Sequence, residues 1–364
     1  MRLIETKALQ PGQELAKPIY NDGGQALLKP GVTMTPLLIQ KLMDYSITYV
    51  YIEDAATEDI ISQYPITDAL RNEAVASIKT AFQEVFKSDQ MNRGFVFDKI
   101  GSQMMDVVRS IIHELSLHKE VISLLSDVFV YDEYIFSHSL NVTMYSLALG
   151  MELNLHRNKL EEIGLGAILH DVGKIEVPRD ILHKPAKLTK EEFTVVKNHT
   201  DAGFQILRNA ATIPLTAAHC AYQHHERLDG SGYPRGLVEE DIHLYGKLLA
   251  VADVFDAVTS NRSYRPAMLP HEGLEILYAG SGSLFDQRMV EAFRRCIAVY
   301  PNGLTVELND GRTGVVVRQN PYLCDRPVVR IFEEKRNPVT AKYEIDLSEQ
   351  LNLVVKNCDT TFLS

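Results

Sequence analysis

Imidazole and carboxylate side chains recur in five otherwise apolar segments in the central part of the chain. These residues are His138, the adjacent pair His170 and Asp171, His199, the adjacent pair His224 and His225, and Asp253. Asp253 lies inside the apolar run LLAVADVFDAV, where an isolated carboxylate costs several kcal/mol unless it is paired or bound to a metal. Because imidazole and carboxylate together suit Fe, Mn, Zn, Ni or Co rather than Ca, the pattern predicts a transition-metal site.

We expect the carboxylate of Asp171 to bridge two metal ions. Neighbouring residues on a helix point about 100° apart, but Gly173 indicates a helix end that relaxes this geometry, and a carboxylate can bridge two metals. We expect one ion to be bound by His138, His170, Asp171 and Asp253, and a second by Asp171, His199 and His224, with His225 as a further candidate. Two cations roughly 3.5–4 Å apart lower the pKa of a bridging water and hold a phosphate, which predicts a phosphohydrolase.

Three basic residues near these segments are candidates for binding phosphate. Lys174 follows the His-Asp pair in HDVGK, and its ammonium suits a phosphate oxygen that the metals do not hold. The alternative is a solvated charge after a helix end. Arg262 and Arg265, in SNRSYRP, are candidates for the outer part of a ligand. His219 does not share a helix face cleanly with His224, so we expect it to support the core.

Composition and charge argue against several classes of protein. The net charge of −11 over 364 residues argues against a nucleic-acid polymer as partner, because such binders need a basic face. Four widely separated cysteines suit reduced thiols in a cytoplasm. The N-terminal stretch lacks the apolar core of a signal peptide. The run 134–151 has the length of a membrane span but holds His138 and Asn141, which favours a buried helix in a cytoplasmic protein without a membrane partner.

Periodicity predicts a mainly α protein with four regions. Residues 1–60 combine short β-like runs with one helix at about 35–45, as in a small α/β module closed by the acidic segment EDAATED. Residues 61–127 are helical, and we expect their apolar stripe to pair across a homodimer. That stripe begins with Leu70, Ala74, Ile78, Phe82 and Val85. Helices continue through 128–300, and strand–turn–strand patterns predict a small β subdomain at 301–364.

Five motifs, by their order and spacing, resemble those of the HD-GYP proteins, a subgroup of the HD superfamily of metal-dependent phosphohydrolases. They are HSLNV (138–142), HDVGK (170–174), KNHT (197–200), HHERLDGSGYP (224–234) and VADVFDAVTSNRSYRP (251–266). The resemblance covers about 130–300 and implies an HD-type helical bundle as the catalytic core. It also implies hydrolysis of the bacterial second messenger cyclic di-GMP to pGpG or GMP by a hydroxide that bridges two metals, with Fe or Mn as the first candidates.

The resemblance implies a role for each of these residues. The metal ligands would be His138, His170, Asp171, His199, His224, His225 and Asp253. Asp171 and Lys174 would take part in catalysis, with Lys174 on the phosphate. Tyr233, in the signature turn, would contact a guanine or a partner protein such as a diguanylate cyclase domain.

The sequence departs from the family pattern at one informative position. Tyr134 stands where members with a third metal carry a glutamate, so we expect two metals, which puts conversion through to GMP in doubt. Two alternatives remain open at this point. One is a phosphohydrolase for another cyclic dinucleotide, and the other is a sensor or scaffold for cyclic di-GMP with little turnover.

Overall fold

The computed structural model describes residues 1–20, 26–55, 57–60, 65–88, 93–117, 134–182, 184, 186–261, 265–321, 323–334 and 337–361. The N-terminal region contains β1 (Arg2–Glu5), β2 (Ile19–Tyr20), β3 (Ala26–Leu28), α1 (Pro36–Asp44) and β4 (Tyr49–Ile52). The long helices that follow are α2 (Asp68–Lys87) and α3 (Arg93–Leu117). Within the described ranges, no helix is both long and apolar enough to cross a membrane.

The central region is helical, as predicted. Its helices are α4 (Tyr134–Glu152), α5 (Arg157–Leu169), α6 (Arg179–Leu182), α7 (Lys190–Lys197), α8 (His199–Leu207), α9 (Leu215–Gln223), α10 (Leu244–Thr259), α11 (Pro270–Ala279) and α12 (Gln287–Cys296). A 3-10 turn at Val172–Glu176 follows α5. The stretch EEFTVVKNHTDAGFQILR (191–208) predicts one continuous helix from its sequence. The structure instead begins a new helix at His199, immediately after Asn198.

One hydrophobic core unites α2 and α3 with the central helices. The predicted apolar stripe of α2 is buried, with Ile78 and Val85 fully inside, and α2 packs against α3 and α4. The stripe is therefore covered within the chain, which removes the exposed apolar surface from which a homodimer was predicted. The predicted helical residues 118–127 lie outside the described ranges.

A five-stranded antiparallel sheet follows the helices, in the order β8-β7-β6-β5-β9. Its strands are β5 (Thr305–Leu308), β6 (Arg312–Arg318), β7 (Val328–Glu334), β8 (Asn337–Asp346) and β9 (Val355–Asp359). The Asp-Gly pair at 310–311 is a turn signal in the sequence, and Gly311 takes a φ of +86° in the turn between β5 and β6. The last strand, β9, was not predicted.

The N-terminal region packs against this sheet. Leu3 and Tyr51 share a hydrophobic cluster with residues of β5 to β8, and Leu3 N donates to the Gly303 carbonyl at 2.9 Å. The acidic segment EDAATED (53–59) is typical of a linker in the sequence, but its Asp59 accepts two hydrogen bonds of 2.6 Å from Arg330 of β7. The described part of that segment is therefore fixed to the sheet.

Thr48 connects the N-terminal region to the end of α10. Its backbone N donates to Asn261 Oδ1 at 3.0 Å, and its Oγ1 accepts from Ala267 N at 3.0 Å. Since α10 carries Asp253, the N-terminal region supports the helix that presents one of the predicted ligands.

Candidate metal centre

The seven predicted metal ligands converge from five helices. His138 lies in α4 and Asp253 in α10, whereas the other five residues lie at helix ends. His170 and Asp171 follow α5, His199 begins α8, and His224 and His225 follow α9. Six of the seven are buried and His225 is partly buried. Their donor atoms form two neighbouring groups, His138–His170–Asp171 and His199–His224–His225, each suited to hold a metal ion.

Glycines allow the helix ends to approach this closely. A Cβ on Gly173 would overlap the carbonyl oxygen of His199 and lie 2.5 Å from Gly203 N. A Cβ on Gly166 of α5 would overlap Cys220 of α9. Without side chains at these two positions, the end of α5 reaches both α8 and α9, which brings Asp171 beside His199 and His224.

Hydrogen bonds donated by Nδ1 to backbone carbonyls fix the orientation of three imidazoles. Nδ1 of His170 lies 2.7 Å from the Ala167 carbonyl, and Nδ1 of His199 lies 2.6 Å from the Val196 carbonyl. A carbonyl can only accept, so Nδ1 carries the proton and Nε2 presents its lone pair to the centre. His224 follows the same pattern, with its Nδ1 3.0 Å from the carbonyl of the residue four positions earlier.

The second group of candidate ligands is the one that fits a cation most clearly. Nε2 of His199 and Nε2 of His224 lie 3.3 Å apart, and both Nδ1 atoms already donate elsewhere. Burial lowers the pKa of His199 to about 4 and that of His224 well below its usual value, so both rings are neutral near pH 7. Two lone pairs facing each other are repulsive, and a bound cation turns them into ligands.

The first group surrounds His138 with carboxylates. Its Nε2 lies 3.1 Å from Asp253 Oδ1, and its Nδ1 lies 2.6 Å from Asp256 Oδ2. Burial alone would lower the pKa of His138, but hydrogen bonds to Asp253 and Asp256 outweigh it and raise the pKa to about 9. The surroundings thus favour positive charge at this position.

Asp171 lies between the two groups, as predicted for a bridging carboxylate. Its Oδ2 is 3.5 Å from Nε2 of His138 and 3.4 Å from Nε2 of His170. Its Oδ1 is 3.4 Å from Nε2 of His199 and 3.9 Å from Nε2 of His224. One oxygen therefore faces each group of nitrogens.

Lys174 lies beside this carboxylate. Its Nζ donates to Asp171 Oδ2, and its side chain is 19% exposed. Burial would raise the pKa of Asp171, but Lys174 and the surrounding histidines together hold it well below the usual range. Asp171 is consequently ionised and available as a metal ligand near pH 7.

The buried polar atoms of the centre fit metal ions. Among the described residues, His170 Nε2 and Asp171 Oδ1 have no hydrogen-bond partner. Leaving a buried polar atom unsatisfied costs about 1–3 kcal/mol, and more when it is charged. Coordination to a divalent cation would satisfy both atoms, and nitrogen with carboxylate oxygen is the donor set of first-row transition metals.

The segment 224–237 folds back on the ligands that begin it. The buried carboxylate of Glu226 accepts from Arg235 N at 2.8 Å and from Leu237 N at 2.9 Å, which closes the loop. A Cβ on Gly232 would overlap the backbone of Arg227, so only glycine permits this approach. The loop thereby places Tyr233 over His225, with ring centroids 4.6 Å apart.

The structure describes only one of the two arginines that were predicted to contact the outer part of a ligand. Arg265 donates to the Ala257 carbonyl near the end of α10, so it supports the helix that carries Asp253. Its predicted contact with the outer part of a ligand remains a prediction. Arg262 lies outside the described residues. His219 packs against Phe204 with ring centroids 5.1 Å apart and belongs to neither group of ligands, in line with its predicted supporting role.

Asp256 contacts a residue of the centre, His138, but the sequence analysis predicted no role for it. Its Oδ2 lies 2.6 Å from His138 Nδ1, and its Oδ1 accepts from Asn141 Nδ2 at 2.9 Å and Ser260 Oγ at 3.0 Å. It orients the His138 ring toward Asp253, as carboxylates commonly do for metal-binding histidines. Its position three residues after Asp253 on the same helix face was the available signal.

We expect Asp256→Asn to weaken metal binding by about tenfold to a hundredfold. Three donors converge on the Asp256 carboxylate, and an amide would replace one acceptor oxygen with a further donor. Metal affinity of the variant can be measured by competition with a chelator. Asp106→Asn is the matched control, because the Asp106 side chain is 77% exposed on α3. Equal affinities in both variants would show that Asp256 does not orient His138.

The chain matches two family models. One, described as "HD domain", matches residues 105–289, slightly more than half of the chain. The chain belongs to the HD domain family. The other, described as "KOW domain associated with HD domain", matches residues 305–361, which span the five-stranded sheet. The resemblance of the motifs to the HD superfamily is confirmed, and so is the mainly α fold with an HD-type core and a C-terminal β region.

Several relatives of this HD domain protein are phosphodiesterases. A cyclic di-GMP phosphodiesterase of Pseudomonas aeruginosa is 35% identical over 240 residues, which are 66% of this chain and 58% of that protein. A cyclic di-GMP phosphodiesterase of Thermotoga maritima is 36% identical over 229 residues, covering 63% of this chain and 60% of that protein. A 3'3'-cGAMP-specific phosphodiesterase of Vibrio cholerae is 37% identical over 156 residues, which are 43% of this chain and 30% of that protein. The chain thus spans about three fifths of the length of the first two relatives.

Proposed function

We propose that this HD domain protein is a metal-dependent phosphodiesterase that hydrolyses cyclic di-GMP. The observation that carries the proposal is the pair of ligand groups joined by Asp171, in which imidazole lone pairs and carboxylate oxygens face a common centre. Two relatives named cyclic di-GMP phosphodiesterases, each matching more than 60% of this chain, support the choice of substrate.

Some residues of the centre would bind the metal ions, and others would bind the nucleotide. Two divalent cations bound there would activate a water molecule and neutralise charge on the phosphate oxygens. One ion would be held by His138, His170 and Asp253. The other would be held by His199, His224 and His225. Asp171 would contact both ions. Lys174, which is partly exposed beside Asp171, would donate to a phosphate oxygen and stabilise its negative charge in the transition state.

The donor set bears on the choice of metal, and Tyr134 bears on the number of ions and on the product. Five imidazoles and two carboxylates suit Fe or Mn, and Zn, Ni or Co also accept such ligands. We propose two ions per chain and pGpG as the main product, with GMP as a later product. Tyr233 over His225 and Arg265 near the end of α10 remain proposed contacts for the outer part of the nucleotide.

A cytoplasmic location and one protein partner complete the proposal. All four cysteines are free, which suits a reducing compartment. The loop that carries Tyr233 exposes Ser231 and Arg235, which makes it the proposed contact for a diguanylate cyclase domain.

The second candidate function is hydrolysis of a mixed cyclic dinucleotide. It is favoured by the similarity to the 3'3'-cGAMP-specific phosphodiesterase of Vibrio cholerae. A sensor without turnover is not favoured, because every predicted ligand is present and brought together.

The substrates are best separated by parallel assays. We expect Mn(II)- or Fe(II)-loaded protein to hydrolyse cyclic di-GMP with a higher kcat/KM than 3'3'-cGAMP, measured by chromatography of the products under anaerobic conditions. A higher kcat/KM for 3'3'-cGAMP would establish the second candidate instead. Tight binding of cyclic di-GMP without turnover of either substrate would establish the sensor.

A further inference from the structure

An exposed aromatic ring lies at the edge of the metal centre. Phe193, in α7, is 45% exposed. Its neighbours on the exposed side of the helix, Glu191 and Thr194, are polar. A single apolar ring in polar surroundings is too small a patch for a protein interface, which needs hundreds of Å². It is large enough for a flat aromatic ligand.

Contacts with Lys197 and Tyr233 hold this ring close to the ligands. Phe193 meets Tyr233 edge to face, with ring centroids 6.1 Å apart and an angle of 81° between the planes. The Lys197 ammonium lies 4.9 Å from the centroid of each ring. Tyr233 in turn packs on His225 at 4.6 Å. One aromatic layer therefore separates Phe193 from a residue of the metal centre.

The side chains of Tyr233 and Phe193 differ in how much of their surface is exposed. Tyr233 is in contact with His225, Lys197 and Phe193 and is only partly exposed. Phe193 has nearly half of its surface exposed. A nucleotide places a flat base and an anionic phosphate on opposite sides of its sugar. A phosphate at the metals would therefore leave the base near the exposed ring, with the Lys197 ammonium favouring an anionic ligand.

We propose that Phe193, held by Lys197 and Tyr233, is a nucleobase subsite of the metal centre. The base of a nucleotide whose phosphate lies at the metals stacks on the exposed face of Phe193. Stacking accepts any base because every base has a π face, so the subsite adds affinity without selecting guanine. The inference rests on the proposed function in one respect, which is that the ligand is a nucleotide.

The test compares two phosphates that differ only in the base. GMP and ribose 5-phosphate are titrated into the Mn(II)-loaded 364-residue chain by calorimetry. We expect GMP to bind about tenfold more tightly to the unmodified protein, the order of gain that one stacked base supplies. Phe193→Ala is expected to remove this difference while the Kd of ribose 5-phosphate stays the same. Phe193→Trp is expected to keep it.

A matched control removes another exposed phenylalanine that lies beside a cation. Phe86, in α2, is 54% exposed, and the Arg179 guanidinium lies 5.6 Å from its ring centroid. Phe86→Ala is expected to leave both affinities unchanged. An unchanged GMP preference in Phe193→Ala, or an equal loss of affinity for both ligands, would overturn the subsite. Because the assay measures binding alone, failure to hydrolyse cyclic di-GMP would refute the proposed function and leave this test intact.

Discussion

Replacing Asp171 by asparagine is expected to abolish the paired metal site and lower phosphodiesterase activity by more than about a hundredfold, the loss that can follow from removing a residue that only orients a ligand. Asp171 is the residue whose two oxygens face separate pairs of imidazoles, at 3.4 and 3.5 Å on one side and 3.4 and 3.9 Å on the other. An amide offers one neutral oxygen in place of two anionic ones. Metal content by plasma mass spectrometry should fall from two ions per chain to at most one.

The control for this variant is the same change at an exposed position. Asp106→Asn is expected to retain two ions and the activity of the unmodified protein, because its side chain is 77% exposed and pairs only with Arg109 at 3.8 Å among the described ion pairs. Two tightly bound ions in Asp171→Asn would show that the carboxylate does not join the two groups.

Gly173→Ala is expected to disrupt the site without changing any ligand. The added Cβ would overlap the His199 carbonyl oxygen and lie 2.5 Å from Gly203 N, and neither backbone atom can move without moving α8. Overpacking of this kind costs roughly 1–3 kcal/mol, and overlap with backbone favours the upper end of that range. We expect a free energy of unfolding about 3 kcal/mol lower in urea denaturation. The metal content should fall with it.

Gly311→Ala is the control for Gly173→Ala. It shows the effect of replacing a glycine where the added Cβ overlaps no other atom. Gly311 has a φ of +86° and no atom within 4 Å of an added Cβ, so its substitution strains only the local backbone, by about 1–2 kcal/mol. Two bound ions and full activity are expected in that variant. Full metal content in Gly173→Ala would mean that α5 and α8 need not approach this closely.

The residues of the candidate metal centre could be predicted from the sequence because their signals are local. Asp253 is a carboxylate within an apolar helix, and Gly173 marks the helix end that frees His170 and Asp171. Each of these signals is carried by residues close together in the chain. Their grouping around Asp171 also followed from chemistry, since a carboxylate has two oxygens to offer.

Other features depend on contacts between distant parts of the chain. The break between α7 and α8 at Asn198 carries no proline or glycine, so periodicity alone predicted a continuous helix. Packing of Leu3 against the C-terminal sheet joins residues some 300 positions apart. The subsite at Phe193 likewise required the position of Tyr233, forty residues later. Local patterns cannot report such pairings, because the hydrophobic effect that drives them is not directional.

The central claim is that two metals, held in the two groups joined by Asp171, hydrolyse cyclic di-GMP. The most direct measurement is the initial rate of cyclic di-GMP hydrolysis as metal-free protein is titrated with Mn(II) under anaerobic conditions. The expected result is a rate that stays low up to one equivalent per chain and reaches its maximum at two, with pGpG as the first product. Full activity at one equivalent, or intact cyclic di-GMP with two ions bound, would contradict the claim.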